Sequence, residues 1–90
     1  MSKLSVEIYT PAEKIYDGEA YMVSVPGVSG SMGFLPGHVG LVTPLRQGTV
    51  KLMQADTPNK STDKEYDVEG GYAQVFDDKV IVLTESLSVK

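Results

Sequence analysis

Residues 27–40 read GVSGSMGFLPGHVG and hold five glycines, one proline and the only histidine of the chain. Glycines at 27, 30 and 33 suggest a phosphate cradle, and His38 suggests a general base or a metal ligand. Each chemistry requires partners that the sequence must also supply. A phosphate loop needs G-x-x-x-x-G-K-[ST] between a strand and a helix, so that a lysine and the helix N-terminus hold the anion. Neither the lysine nor a helical pattern follows these glycines. They are better explained as residues that permit positive φ in a tight, bulged connection between strands. Leu35-Pro36-Gly37-His38 fits a type II turn, with proline presetting φ at the second position and glycine supplying positive φ at the third. The turn presents His38 at one end. As a general base, His38 would need a nucleophile within reach and a group to orient its ring, and no recognisable triad lies nearby. Without cysteine, zinc would depend on carboxylates, and the Asp-rich stretch lacks calcium-loop spacing. No catalytic residue, bound cofactor or metal is therefore expected, and His38 is assigned a structural or interface role. Met32, Phe34 and Leu35 remain as an exposed apolar group on a glycine-rich loop. Such residues either tuck under the loop or dock onto a partner.

The elements that position this stretch follow a period of two. Leu4, Val6 and Ile8 alternate with Ser5, Glu7 and Tyr9, which predicts a strand with one apolar face that ends at Thr10-Pro11. Tyr21, Val23 and Val25 repeat the alternation up to Pro26, whose missing N–H ends a ladder or confines it to an edge. Val50 and Leu52 flank Lys51 after an expected turn at Arg46-Gln47-Gly48, and Tyr66 and Val68 flank Asp67. Ala73 and Val75, then Asp77-Asp78, then Val80 to Leu83 predict a hairpin closed by two acidic turn residues. The polar stretch 56–64, DTPNKSTDK, reads as an exposed connection. No segment carries a 3.6-residue period over three turns. Many short strands in a chain of 90 residues predict an all-β fold, a flattened β-sandwich or barrel of two stacked sheets. Its domain spans residues 1–85, with 86–90 as a short tail and no helical domain.

Composition narrows the function classes. Twelve acidic against eight basic residues give a formal net charge of −4, which removes the usual electrostatic drive toward nucleic acid. Apolar runs such as Val80 to Leu83 fall far short of the ~20 residues of a spanning helix. Glu7, Glu13, Lys14 and Asp17 interrupt any signal-like apolar stretch in residues 1–20. The expected location is cytosolic or peripheral to a membrane.

Gly30-Ser31-Met32-Gly33-Phe34-Leu35-Pro36-Gly37-His38, followed by Leu41 and Thr43, resembles the G-x-x-G-[apolar]-x-P-G-H signature of the ε subunit of F-type ATP synthases. The opening strand Leu4 to Tyr9, the Glu69-Gly70-Gly71 corner with Tyr72-Ala73-Gln74-Val75, and the closing Val80 to Thr84 resemble that subunit's N-terminal domain in order and spacing. The resemblance implies a non-catalytic sandwich at the foot of the rotating central stalk, with the γ subunit and the c-ring as partners. It implies a c-ring-facing loop at Ser29, Gly30, Ser31, Met32, Gly33, Phe34 and Leu35, and a γ-facing position for His38 and Thr43. It also implies coupling of proton or sodium transport to ATP synthesis at the cytoplasmic face of a bacterial inner membrane, with membrane contact made through the complex. Relatives continue into a helical hairpin that can brake hydrolysis and in some members binds ATP; residues 86–90 are too short for a stable helix, so neither property is expected of this chain. The rival reading is a freestanding ligand-binding or chaperone-like β module sharing the sandwich alone.

Overall fold

The computed structural model describes residues 3–37, 40–54, 63–85 and 87–89. His38, residues 56–62 of the expected polar connection, and Ser86 and Lys90 of the expected tail lie outside that set. The described residues form eight strands: β1 Leu4–Tyr9, β2 Lys14–Ala20, β3 Met22–Gly27, β4 Gly30–Phe34, β5 Leu41–Met53, β6 Lys64–Phe76, β7 Lys79–Leu83 and β8 Leu87–Val89. The all-β expectation holds. The alternations read in the sequence become β1, β3, the second half of β5 and most of β6, and the expected hairpin pairs β6 with β7, with Thr10-Pro11 lying just beyond β1 as expected.

Hydrogen bonding joins the strands into one sheet in the order β2-β1-β7-β6-β5-β3-β4, with β8 paired to β6 off that path. The two layers of the expected sandwich are thus halves of a continuous sheet, joined through β5 and β6. Leu41 to Leu45 pair with Gly71 to Val75, and the latter strand carries β7 on its other side. Gln47 to Leu52 pair with Lys64 to Glu69, flanked by β3 and β8. Side-chain parity explains how one ribbon serves both layers. Inward residues are odd-numbered in the first half of β5 (Leu45) and even-numbered in the second (Val50, Leu52), while β6 runs from even (Tyr66, Val68) to odd (Ala73, Val75). Both strands switch together without a change in register. The ribbon therefore folds over at residues 45–48 and 69–71, and the expected turn at Arg46-Gln47-Gly48 is a bend inside one long strand.

Gly71 makes that corner possible. Its φ is +119°, and a Cβ there would collide with the backbone carbonyl of Leu83. Thr84, just beyond β7, closes the same corner: its N–H donates to the Tyr9 carbonyl at 3.0 Å and its Oγ1 donates to the Gly70 carbonyl at 2.7 Å.

Pro26 sits inside β3, not at its end. It pairs with Ser31 of β4, while on its other side the β3–β5 register shifts between Ser24 and Gly27. The bulge places the residue lacking an N–H where no ladder bond is required of it. The core is one cluster fed by both layers. Leu4, Val6, Ile8, Val80 and Val82 come from β1 and β7, and Val23, Val25, Phe34, Val50 and Leu52 from β3, β4 and β5.

Candidate docking surface

The register of the first layer dictates what its outer side presents. With Ala73, Val75, Val80 and Val82 turned into the core, strand alternation forces Tyr72, Gln74, Phe76, Ile81 and Leu83 outward. Cross-strand pairs line them up: Pro44 opposes Tyr72, Tyr72 opposes Leu83, and Leu83 lies beside Tyr9 of the parallel strand β1. A second row runs through Val42, Gln74, Ile81 and Glu7. The outer face is thus apolar where a solvated face would be polar, with Val42, Tyr72 and Leu83 respectively 60%, 57% and 50% exposed. An exposed apolar group of this kind marks an interaction surface.

At one end of the face lies a shallow cavity of about 240 Å³, lined by Tyr9, Pro11, Gly71, Tyr72, Leu83 and Glu85 among others. Charged side chains border the face beside Tyr9. Tyr9 donates its hydroxyl to Glu7 Oε1 at 2.5 Å, Lys79 Nζ lies 3.2 Å from Glu7 Oε2, and Lys14 Nζ pairs with Asp17 at 3.0 Å. Lys14 Nζ also stands 5.5 Å from the centre of the Tyr9 ring. The Tyr9 hydrogen bond, and after it Lys79, holds the Glu7 carboxyl below its ordinary range; the same bond raises Tyr9, and Asp17 raises Lys14. These groups hold one another in place and frame the apolar rows.

The glycine-rich stretch is built differently from the expected exposed loop. Residues 30–34 are the strand β4, at the end of the sheet path, and Val28-Ser29 form the tip of the β3–β4 hairpin. Alternation therefore decides which side chains are available. Ser31 and Gly33 face out, while Met32, opposite Val25, is half-buried against the core and Phe34, opposite Val23, is fully buried. Phe34 is a core residue, contrary to the expectation that it is exposed with Met32 and Leu35. Of that trio Leu35 alone is exposed. The exposed Val28 at the hairpin tip was missed; its N–H donates to the Pro44 carbonyl at 3.1 Å, which leans the tip against β5.

Ser29 and Leu35 flank the two ends of β4, roughly 20 Å apart at the rise of a strand. The stretch 29–35 is thus two separate surfaces joined by a strand, not one loop. Gly37, with φ +89°, has the conformation of the second central residue of a type II turn, in agreement with the sequence. Thr43 is half-buried, aligned with Ala73 on the inner side of β5, and its exposed neighbours Val42 and Pro44 carry the outer surface. His38 lies outside the described residues.

The chemistry open to such a surface is contact. Among the described residues no three His, Cys, Asp or Glu side chains gather closely enough to hold a metal, and no helix is long and apolar enough to cross a membrane. The outer face was legible in one respect only: Val80-Ile81-Val82-Leu83 is apolar without alternation, the pattern of a strand covered on both sides. Tyr72 and Phe76 give the same signal in β6, flanking the inward Ala73 and Val75.

Comparison with known proteins places this architecture. Residues 3–89 match the family model of the ATP synthase delta/epsilon chain β-sandwich domain. The chain is 40% identical over 88 residues to the ATP synthase epsilon chain of Brevibacillus brevis, covering 96% of this chain and 62% of that one. It is 38% identical over 86 residues to the epsilon chain of Alkalihalophilus pseudofirmus, covering 96% and 61%. It therefore spans about three-fifths of the length of these relatives. Among solved structures, a chain of the Euglena gracilis mitochondrial ATP synthase, from its OSCP/F1/c-ring assembly, superposes with a TM-score of 0.85 at 21% identity, over 99% of this chain and 54% of that one. A chain of the Tetrahymena thermophila mitochondrial enzyme, from its central stalk and c-ring, gives 0.76 at 18% identity, over 97% and 66%.

Proposed function

Because the chain belongs to the delta/epsilon family of ATP synthase through its β-sandwich domain, we propose that it is a non-catalytic central-stalk subunit that docks on γ and on the c-ring. In this role it couples rotation of the ring to ATP synthesis, at the cytoplasmic face of a bacterial inner membrane. The observation that carries the reading is the apolar outer face of the first layer. Val42, Tyr72, Phe76 and Leu83 are each at least 43% exposed there. We assign this face, with its cavity, to γ.

The β3–β4 hairpin tip, Val28 to Ser31, is a narrow polar and apolar point suited to the c-ring loops. Leu35 belongs with the γ side, because the turn that follows it leads to Gly40, which approaches Phe76. Phe34 supports both contacts from the core and makes neither.

The test is capture of a γ–c-ring subassembly by the purified chain. Tyr72→Asp with Leu83→Asp should fold, since both side chains are already hydrated, yet weaken capture by on the order of a hundredfold, as losing central apolar contacts does. Unchanged capture by this double variant would remove the outer face from the interface. A wild-type chain that captures neither γ nor the c-ring would return the molecule to the class of freestanding β modules.

A further inference from the structure

The β6–β7 hairpin holds an unexplained choice of residue. Its two loop residues, Asp77 and Asp78, have φ of +50° and +57°, the pattern of a type I′ turn, whose second central position favours glycine. Asp78 occupies that position with a side chain that glycine would spare. Its carboxylate has an occupation elsewhere: Oδ1 accepts the N–H of Gly37 at 2.6 Å, across 41 residues of sequence. The Asp78 carbonyl accepts the N–H of Ser5 at 2.9 Å, so one residue fastens the start of β1, the hairpin tip and the β4–β5 turn.

The turn has need of such a fastening. Pro36 has no N–H, and a type II turn leaves the N–H of its second central residue without a partner inside the turn. A Cβ on Gly37 would meet nothing within 4 Å, so packing does not hold the glycine.

We infer that Asp78 is a positioning residue, whose carboxylate fixes the Pro36-Gly37 turn and thereby sets Leu35 at the end of the γ-facing surface. This rests on the docking assignment proposed above for its consequence, and on geometry alone for the clamp.

Asp78→Gly separates the two duties of the residue. Glycine satisfies the hairpin backbone but removes the acceptor, whereas Asp78→Asn keeps an acceptor oxygen and tolerates positive φ. By amide hydrogen exchange, Asp78→Gly should speed exchange at Gly37 about tenfold or more, as loss of a hydrogen bond to a charged acceptor does. Exchange at Val75 and Val80 should stay unchanged, and Asp78→Asn should restore protection at Gly37. Capture of the γ–c-ring subassembly should fall several-fold in Asp78→Gly and recover in Asp78→Asn. Wild-type exchange at Gly37 in Asp78→Gly would overturn the clamp. Faster exchange at Gly37 with undiminished capture would overturn its role in docking. Failure of the wild-type chain to bind the subassembly would sink the docking reading itself, leaving the clamp decided by exchange at Gly37.

Discussion

Phe34 and Leu35 are neighbours with opposite environments, the first fully buried and the second 47% exposed. Phe34→Ala should therefore lower stability by about 3 to 5 kcal/mol, the range for truncating a buried aromatic side chain. Leu35→Ser should stay within about 0.5 kcal/mol, as surface changes do, and show its effect in capture of γ. Chemical denaturation of both variants checks the pair, and equal losses would place Leu35 in the core. The sequence showed an apolar trio but not its direction, because glycines at 30 and 33 hid the alternation that β4 follows. Acid provides a second test. The folded protein holds Glu7 below its ordinary value of 4.5, chiefly through Tyr9 and then Lys79. A depressed carboxylate contributes stability that is complete above the unfolded value and is lost as pH falls through the folded one. Stability should thus be flat on this account from pH 7 to about 5 and decline below 4.5, and Glu7→Gln should remove that part of the decline. An identical acid profile in Glu7→Gln would show that the Tyr9 and Lys79 contacts carry no linkage.

Elements with one dry and one wet face announced themselves: β1, β3, the second half of β5 and the first half of β6 follow alternation in the sequence, whereas the β6–β7 hairpin was legible from its two acidic turn residues. β2 did not, since KIYDGEA buries only Ala20 completely and owes its pairing to β1. The first half of β5 was hidden by Pro44 and by the Arg46-Gln47-Gly48 sequence, which looks like a turn because the strand bends there. Gly70-Gly71 was legible as a corner but not as the place where two strands change face together. That corner yields a prediction that separates two glycines. Gly37 and Gly71 both have positive φ, but a Cβ finds open space at Gly37 and the Leu83 and Thr84 backbone at Gly71. Gly37→Ala should cost about 1 to 2 kcal/mol from backbone strain alone. Gly71→Ala adds a backbone collision and should lose more than twice as much or fail to fold. Comparable melting temperatures for the two variants would contradict the described packing at the corner.

At the scale of the molecule, the fold is closed by a contact between its two ends. β1 lies between β2 and β7, pairing in parallel with the latter so that Ser5 aligns with Lys79 and Tyr9 with Leu83. It also delivers Leu4, Val6 and Ile8 to the core. Of the other central pairings, β5 with β6 and β6 with β7 join strands that follow one another in the chain, and β3 with β5 skips only the short strand β4. Loop-closure entropy must be met before a distant pairing is rewarded, so β1 should add last, in a reaction on the millisecond to second scale usual for sheets rich in distant contacts. The docking face depends on that step, because its main row crosses from Leu83 to Tyr9 and its cavity is lined by Tyr9, Thr10 and Pro11. Pulsed hydrogen exchange during refolding should protect the amides of Val50 and Val75 before those of Val6 and Ile8. Competence to capture the γ–c-ring subassembly should appear with the second group and not the first. Capture that rises together with Val50 protection, ahead of Val6, would mean that the surface recognised by the partner is complete without β1, and the interface would then have to be sought on the second layer.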